Sequence, residues 1–314
     1  MTWERSGKTD VDRPASQAPL YRAFGLTIAS RLPLPELREG VGEPDVAVVS
    51  GSVPSELPDA VRKGVRFQVA PGRLWLQVDG VARYLARGGT QIVVDRAAGA
   101  PDDSVRLFLL GSVFAALLHQ RGVLPLSASA VAMEGGSAVF MGLSGAGKST
   151  LAAGFHKRGY RVLTDDLCAI SFRAGQPLVW PAYPLLKLWP NLLRELGVDP
   201  GPLPRVRPGL EKRALPLGES FASEPLSPIR LYLLRSSSRA NDVAMQPVEG
   251  HGNIGRIGIH TYGSQFVEGL GSEASYFENL ALLVAALPVK AITWPARHFM
   301  LDELIDLIEE DCGA

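Results

Sequence analysis

The feature that most constrains the fold is the stretch 137–166, SAVFMGLSGAGKSTLAAGFHKRGYRVLTDD. It opens on an apolar run, Ala138-Val139-Phe140-Met141, of the length of a buried strand. Gly142-Leu143-Ser144-Gly145-Ala146-Gly147-Lys148-Ser149 follows and fits G-x-x-x-x-G-K-[ST] at every required position. Residues 150–158 carry apolar and small side chains on one side and read as a helix. A second short strand, Tyr160-Arg161-Val162-Leu163-Thr164, ends in the pair Asp165-Asp166. Strand, glycine loop, helix, strand and acidic pair together predict an α/β core with a nucleoside triphosphate site and a metal.

The residue types account for that chemistry. Gly142, Gly145 and Gly147 let the backbone fold back so that successive N–H groups face one concavity, with Ser144 and Ala146 between them. A helix starting near Lys148 adds the positive end of its dipole, and Thr150 lies in its first turn. The ligand this set suits is ATP. Lys148 is placed to reach the β- and γ-phosphates, and the Ser149 hydroxyl to bind Mg²⁺. A Gly/Ser-rich turn that binds nothing would leave Lys148-Ser149 at the helix start unexplained.

Composition narrows the alternatives. The chain has 314 residues, 46% of them hydrophobic, enough for a large core and one or two domains. Its 32 basic and 32 acidic residues cancel, which argues against bulk electrostatic binding to nucleic acid or to an anionic membrane. Two cysteines, Cys168 and Cys312, are too few for a disulfide framework, and a reducing cytoplasm is the simplest setting. The first residues are polar, with no signal-like apolar core. The longest apolar stretch, 107–118, is interrupted by Gly111-Ser112 and too short for a bilayer, so it reads as a buried helix.

Along the chain, residues 1–18 read as a flexible tail. Residues 19–101 show short alternating runs such as Leu74-Trp75-Leu76-Gln77-Val78, punctuated by Gly and Pro, and predict a small β-rich domain without a catalytic constellation. Residues 102–314, which hold the glycine loop and the acidic pair, are expected to form the catalytic domain. It starts with a helix from Pro101-Asp102-Asp103-Ser104 to about His119, a residue read as a helix-end cation rather than a base. Two strands joined at Glu134-Gly135-Gly136 lead into the loop. Residues 199–216, rich in Pro, Gly and Arg, read as a long basic loop from which Lys212 and Arg213 could contact phosphate or substrate. Residues 253–262 are equally consistent with strand and helix.

GLSGAGKSTLAAGF followed by LTDDL resembles the catalytic domain of the HPr kinase/phosphorylase family of bacterial serine kinases, and more closely its shorter HPr-kinase-like relatives. LLHQRGVLPLSASAV, YPLLKLWPNLLRELG and EKRALPL support the likeness, which spans nearly all the chain from about residue 20 and is most specific over 124–190. The resemblance implies a P-loop kinase core of the HPr kinase/phosphoenolpyruvate carboxykinase type behind the β-rich N-terminal domain. It implies Asp165 as general base on the acceptor hydroxyl and Asp166 as its metal-side neighbour. Two departures stand out. Ser127 occupies the position of a family histidine, and Lys187 the position of a metal-assisting glutamate, so Lys187 is a candidate phosphate contact instead.

The expectation is an ATP- and Mg²⁺-dependent kinase acting on a serine hydroxyl of a peptide or small protein, with a lasso-peptide precursor among the candidates the resemblance suggests. The alternatives are a nucleotide-binding regulator with little catalysis and a small-molecule kinase. The resemblance also raises a homo-oligomer as an option.

Overall fold

The computed structural model describes residues 18–248, 252–295 and 300–313; the tail read at 1–18 lies, except for Ala18, outside them. The described chain is a mixed α/β structure built on three sheets.

The first sheet holds nine strands: β1 (Leu20–Ala23), β2 (Leu26–Ser30), β3 (Arg38–Glu39), β4 (Val46–Ser50), β5 (Arg62–Lys63), β6 (Phe67–Ala70), β7 (Arg73–Val78), β8 (Ala82–Arg87) and β9 (Gln91–Arg96). Their order is β3-β1-β2-β4-β9-β8-β7-β6-β5, antiparallel except where β4 lies parallel to β2 and β9. The period of two decides which face is buried. In β8, Ala82, Tyr84 and Ala86 point inward while Arg83, Leu85 and Arg87 face out.

The buried face is covered by one helical stretch, α1 (Asp102–Phe108), a π-helical turn (Leu109–Val113) and α2 (Phe114–Gln120). The sequence there is apolar all round because both sides are covered. One apolar cluster contains the first sheet, this stretch, and Leu167, Ala169, Ala182, Tyr183 and Phe266 from the second half of the chain. Phe24 stands between Phe114 and Tyr183, with ring centroids 5.7 and 6.3 Å away, and the Tyr84 hydroxyl donates to the Val105 carbonyl at 2.9 Å.

The second sheet is built from β10 (Leu124–Met133), β11 (Gly136–Met141), β12 (Val162–Thr164), β13 (Leu167–Arg173), β14 (Gln176–Trp180), β18 (Pro228–Ser237), β19 (Ala244–Pro247) and β20 (Val289–Pro295). Its path is β14-β13-β10-β11-β18-β20-β19, with β12 also paired to β10. The β11–β18 and β18–β20 pairs are parallel; the others are antiparallel. Every residue of β11 is buried, as expected of a central strand read as a continuous apolar run. Helix α3 (Lys148–Lys157) packs over it, with Phe140 stacked on Phe155 at 5.5 Å and on Tyr232 at 5.9 Å.

A third sheet, β15 (Leu185–Leu188), β17 (Leu210–Pro216) and β16 (Arg205–Arg207), stands beside α3, with α4 (Pro190–Glu195) connecting β15 to the hairpin. Residues 199–216, expected as a loop, therefore end in paired strands. The turn Pro208-Gly209 between two short runs closes the hairpin, and Leu186 and Leu188 anchor its partner strand in the core. The ambiguous 253–262 segment begins as helix α5 (Asn253–Gly258). It is followed by α6 (Ser264–Leu270), α7 (Glu273–Ala286) and the closing helix α8 (Leu301–Cys312). No helix among the described residues is long and apolar enough to cross a membrane.

His119 corrects the sequence reading. Only 3% exposed, it donates from Nε2 to the Tyr262 carbonyl at 3.0 Å. Burial pulls its pKa down to about 4, against the smaller opposing effect of that hydrogen bond, so the ring is neutral at pH 7 rather than a helix-end cation. Because the folded-state value is depressed, its contribution to stability is complete above the unfolded value of about 6.5 and is lost as pH falls through that range. Wild-type stability is expected to drop by about 3 kcal/mol more than that of His119→Gln between pH 8 and pH 4, measured by urea unfolding.

Candidate active site

The site is assembled where β11 runs out. Gly142 ends the strand in a place with no room for a side chain, since a Cβ there would lie 2.7 Å from the Ala146 Cβ and 3.0 Å from the Leu234 carbonyl oxygen. The chain turns through a bond from the Ala146 N–H to the Leu143 carbonyl at 3.0 Å. Gly145 and Gly147 have φ of +83° and +84°, a left-handed backbone that glycine adopts without steric cost. Gly147 then caps α3, whose first N–H groups, from Lys148 on, have no acceptor within the helix. Lys148 folds back over the loop and donates to the carbonyls of Gly142 at 2.7 Å and Leu143 at 3.1 Å. Burial lowers the pKa of its ammonium, opposed by Asp166 and Asp165.

Below the loop, β12 and β13 both pair with β10 and are separated only by Asp165-Asp166. Asp165 is 4% exposed and fully engaged. Its Oδ1 accepts from the hydroxyls of Ser129 at 2.7 Å and Ser149 at 2.8 Å, and its Oδ2 from the Lys187 backbone N–H at 3.3 Å. Asp166 has φ +80°, which is uncommon outside glycine but which aspartate tolerates better than most residues. Neighbours in a regular strand face opposite sides. The left-handed backbone at Asp166 departs from that regular geometry: Asp166 lines the cleft beside the loop, while Asp165 lies buried behind its wall and reaches it through Ser149.

That cleft has a volume of about 550 Å³ and is lined by the loop and α3 start (Ser144 through Thr150), by Ser127, Asp166 and Lys187, and by Leu188, Trp189, Leu192 and Lys212. Lys187 lies mostly buried with its Nζ 3.5 Å from Asp166 and 5.5 Å from the centre of the Tyr183 ring. Burial pulls its ammonium down, but Tyr183, Asp166 and Asp165 outweigh that and hold it above its ordinary range. Of the two basic residues expected here, Lys212 lines the cleft. Arg213 is its neighbour on β17 and points the other way, to the Leu203 carbonyl at 3.1 Å. Ser127 lies on the cleft wall, its N–H bonded to the carbonyl of His260 at 2.7 Å. The largest effect on the His260 ring is burial, which lowers its pKa, and Lys148 and Arg235 add to it.

Sequence reasoning brought forward the loop, the acidic pair, Lys187 and Lys212, and the structure gathers them. It did not single out Ser129, Tyr183, Trp189 or His260. The alternation Ser127-Ala128-Ser129 on a strand paired to the acidic turn is the signal that could have found Ser129. His260 comes from a segment whose secondary structure was ambiguous. Among the described residues, no cluster of three or more His, Cys, Asp or Glu side chains is arranged to hold a metal by itself.

No family model matches the sequence. Among solved structures, the HPr(Ser) kinase/phosphatase from Coxiella burnetii is similar over 60% of this chain and 95% of that chain, at 10% sequence identity and a TM-score of 0.35.

The crowding at Gly142 gives a direct test of the loop geometry. Gly142→Ala is expected to cost about 1–3 kcal/mol in urea unfolding, because neither the Leu234 backbone nor the loop can retreat without strain.

Proposed function

We propose that the chain is a phosphotransferase that moves the γ-phosphoryl group of ATP, with Mg²⁺, onto a serine hydroxyl of a peptide or small protein. The observation that carries this reading is the bond from the Ser149 hydroxyl to Asp165, with Asp166 beside it on the cleft wall. The left-handed glycines and the start of α3 supply N–H groups of the kind that cradle phosphates. Lys148 would exchange its two carbonyl acceptors for phosphate oxygens.

The oxygen donors suit magnesium. The Ser149 hydroxyl and one Asp165 oxygen are 2.8 Å apart, and a hard cation that keeps waters and phosphate oxygens as its other ligands needs little more from the protein. When bound, the ion would draw charge from the phosphates during transfer. This placement favours a division of labour opposite to the one the family resemblance implies. Asp165, buried and tied to Ser149, stands on the metal side. Asp166, open to the cleft, is the group that can accept the proton of an incoming hydroxyl.

Lys187 bears on that role in two ways. Its ammonium pairs with the Asp166 carboxylate that would have to take the proton, which favours the second reading, a nucleotide-binding regulator with little catalysis. It also places a cation where phosphoryl charge would develop, which favours transfer.

Mass spectrometry of candidate peptides incubated with protein, ATP and Mg²⁺ separates the readings. A gain of one phosphate is expected with wild type, and Lys148→Met should reduce its rate at least a hundredfold. ATP binding without phosphorylation of any peptide or small hydroxyl compound would favour the regulator. The two aspartates should also part kinetically. Asp166→Asn is expected to lower kcat by about 10²–10⁴ with an unchanged Mg²⁺ requirement, whereas Asp165→Asn should raise the Mg²⁺ concentration needed for half-maximal rate.

A further inference from the structure

The nucleotide reading leaves one cleft residue without a task. Trp189 is 48% exposed, while Trp75 and Trp294 are 6% and 3% exposed. An indole left this open forgoes a large burial gain, so an exposed tryptophan lining a cleft is an unusual expense for a residue with no ligand. It follows directly on β15, and β15 and α4 hold it in place: Leu186 and Leu188 before it and Leu193 after it are buried, and Pro190 starts the helix. The ring is therefore carried by a rigid backbone.

Its neighbours indicate what the ring receives. Trp189 lines the same cleft as Ser144 through Thr150 and is the sole aromatic side chain among the cleft's described lining residues. Lys187, two positions earlier, stands at Asp166; Trp189 is about 7 Å further along the chain at roughly 3.3 Å per extended residue. The Lys212 ammonium rests 5.6 Å from the centre of the indole ring, a cation–π contact on a partly exposed ring. Leu188 and Leu192 add apolar surface to the lining of the same cleft. The cleft thus has a polar, cationic end for phosphates and an aromatic end beside it.

We propose that Trp189 is the stacking platform for the purine base of the bound nucleotide, which rests on the nucleotide-binding reading above. The base covers the indole face, and the Lys212 ammonium, displaced from the ring or held at its rim, remains close enough to meet phosphate oxygens. Stacking is tolerant of which purine is bound, because every base presents a π face, whereas the phosphates are recognised by the loop independently of it.

Calorimetric titration with Mg·ATP and with Mg·tripolyphosphate, which has phosphates but no base, tests this. Trp189→Ala is expected to weaken ATP binding about tenfold or more, the size of one lost base–aromatic stack, and to leave tripolyphosphate within about twofold. Trp189→Phe, which keeps a smaller π face, should recover most of the loss. An unchanged ATP affinity in Trp189→Ala overturns the platform, as does an equal loss for both ligands, or a Trp189→Phe no better than Trp189→Ala. Wild-type protein that binds neither ligand overturns the nucleotide reading itself, and the platform with it.

Discussion

The site depends on one buried carboxylate. Asp165 is nearly removed from water, and an isolated charge in that position would be strongly destabilising. What makes it tolerable is the set of three donors it meets: Ser129 from β10, Ser149 from α3 and the Lys187 backbone from β15. Each belongs to a different element. The carboxylate therefore ties the main sheet, the helix after the glycine loop and the small third sheet to one point. Bonds to a charged acceptor are among the stronger ones available, and removing a donor leaves the charge short of partners. The mutual placement of loop, helix and cleft wall follows from that arrangement.

The charges around Asp165 are arranged along the cleft rather than spread over the surface. Lys148, Lys187 and Lys212 line it together with Asp166, in a chain whose total charge is zero. A local excess of ammonium groups in a concave site concentrates field where an anion would enter. The first sheet contributes no side chain to the lining of this cleft, but its core runs through Phe24 and Phe114 to Tyr183, whose ring lies under the Lys187 ammonium. Packing in the N-terminal half is thus linked through contact to the electrostatics of the site.

How much of this was legible varies with the physics behind each part. The loop's path could be read because closely spaced glycines between an apolar run and a helix start mark a tight backbone reversal, and Gly145 and Gly147 take the left-handed conformation that such a turn requires. The first sheet could be read because short runs bounded by turn residues recur along it, and in one of them Ala82, Tyr84 and Ala86 stand two apart on a single buried face. The 102–120 helix was legible as buried, though not its π-helical turn, which changes no side-chain pattern. The hairpin at 205–216 was hidden, because Arg, Glu and Lys dominate strands that are only partly buried. The placement of the acidic pair was hidden for another reason. Adjacency says that two carboxylates are near each other, but only a backbone angle at Asp166 says where each points. Tyr183, Ser129 and His260 reach the site through tertiary contacts that no local pattern carries.

That backbone angle also bears on how the protein can change by substitution. A left-handed residue is comfortable for glycine and tolerable for aspartate or asparagine, while most other side chains meet a steric penalty there. Position 166 can therefore exchange cheaply only with asparagine or glycine, and neither carries a carboxylate. Glutamate, the one replacement that would preserve the charge, is disfavoured by the conformation itself. Gradual drift in acid strength or reach is closed to this position, and the available neighbours in sequence space are an intact carboxylate or none.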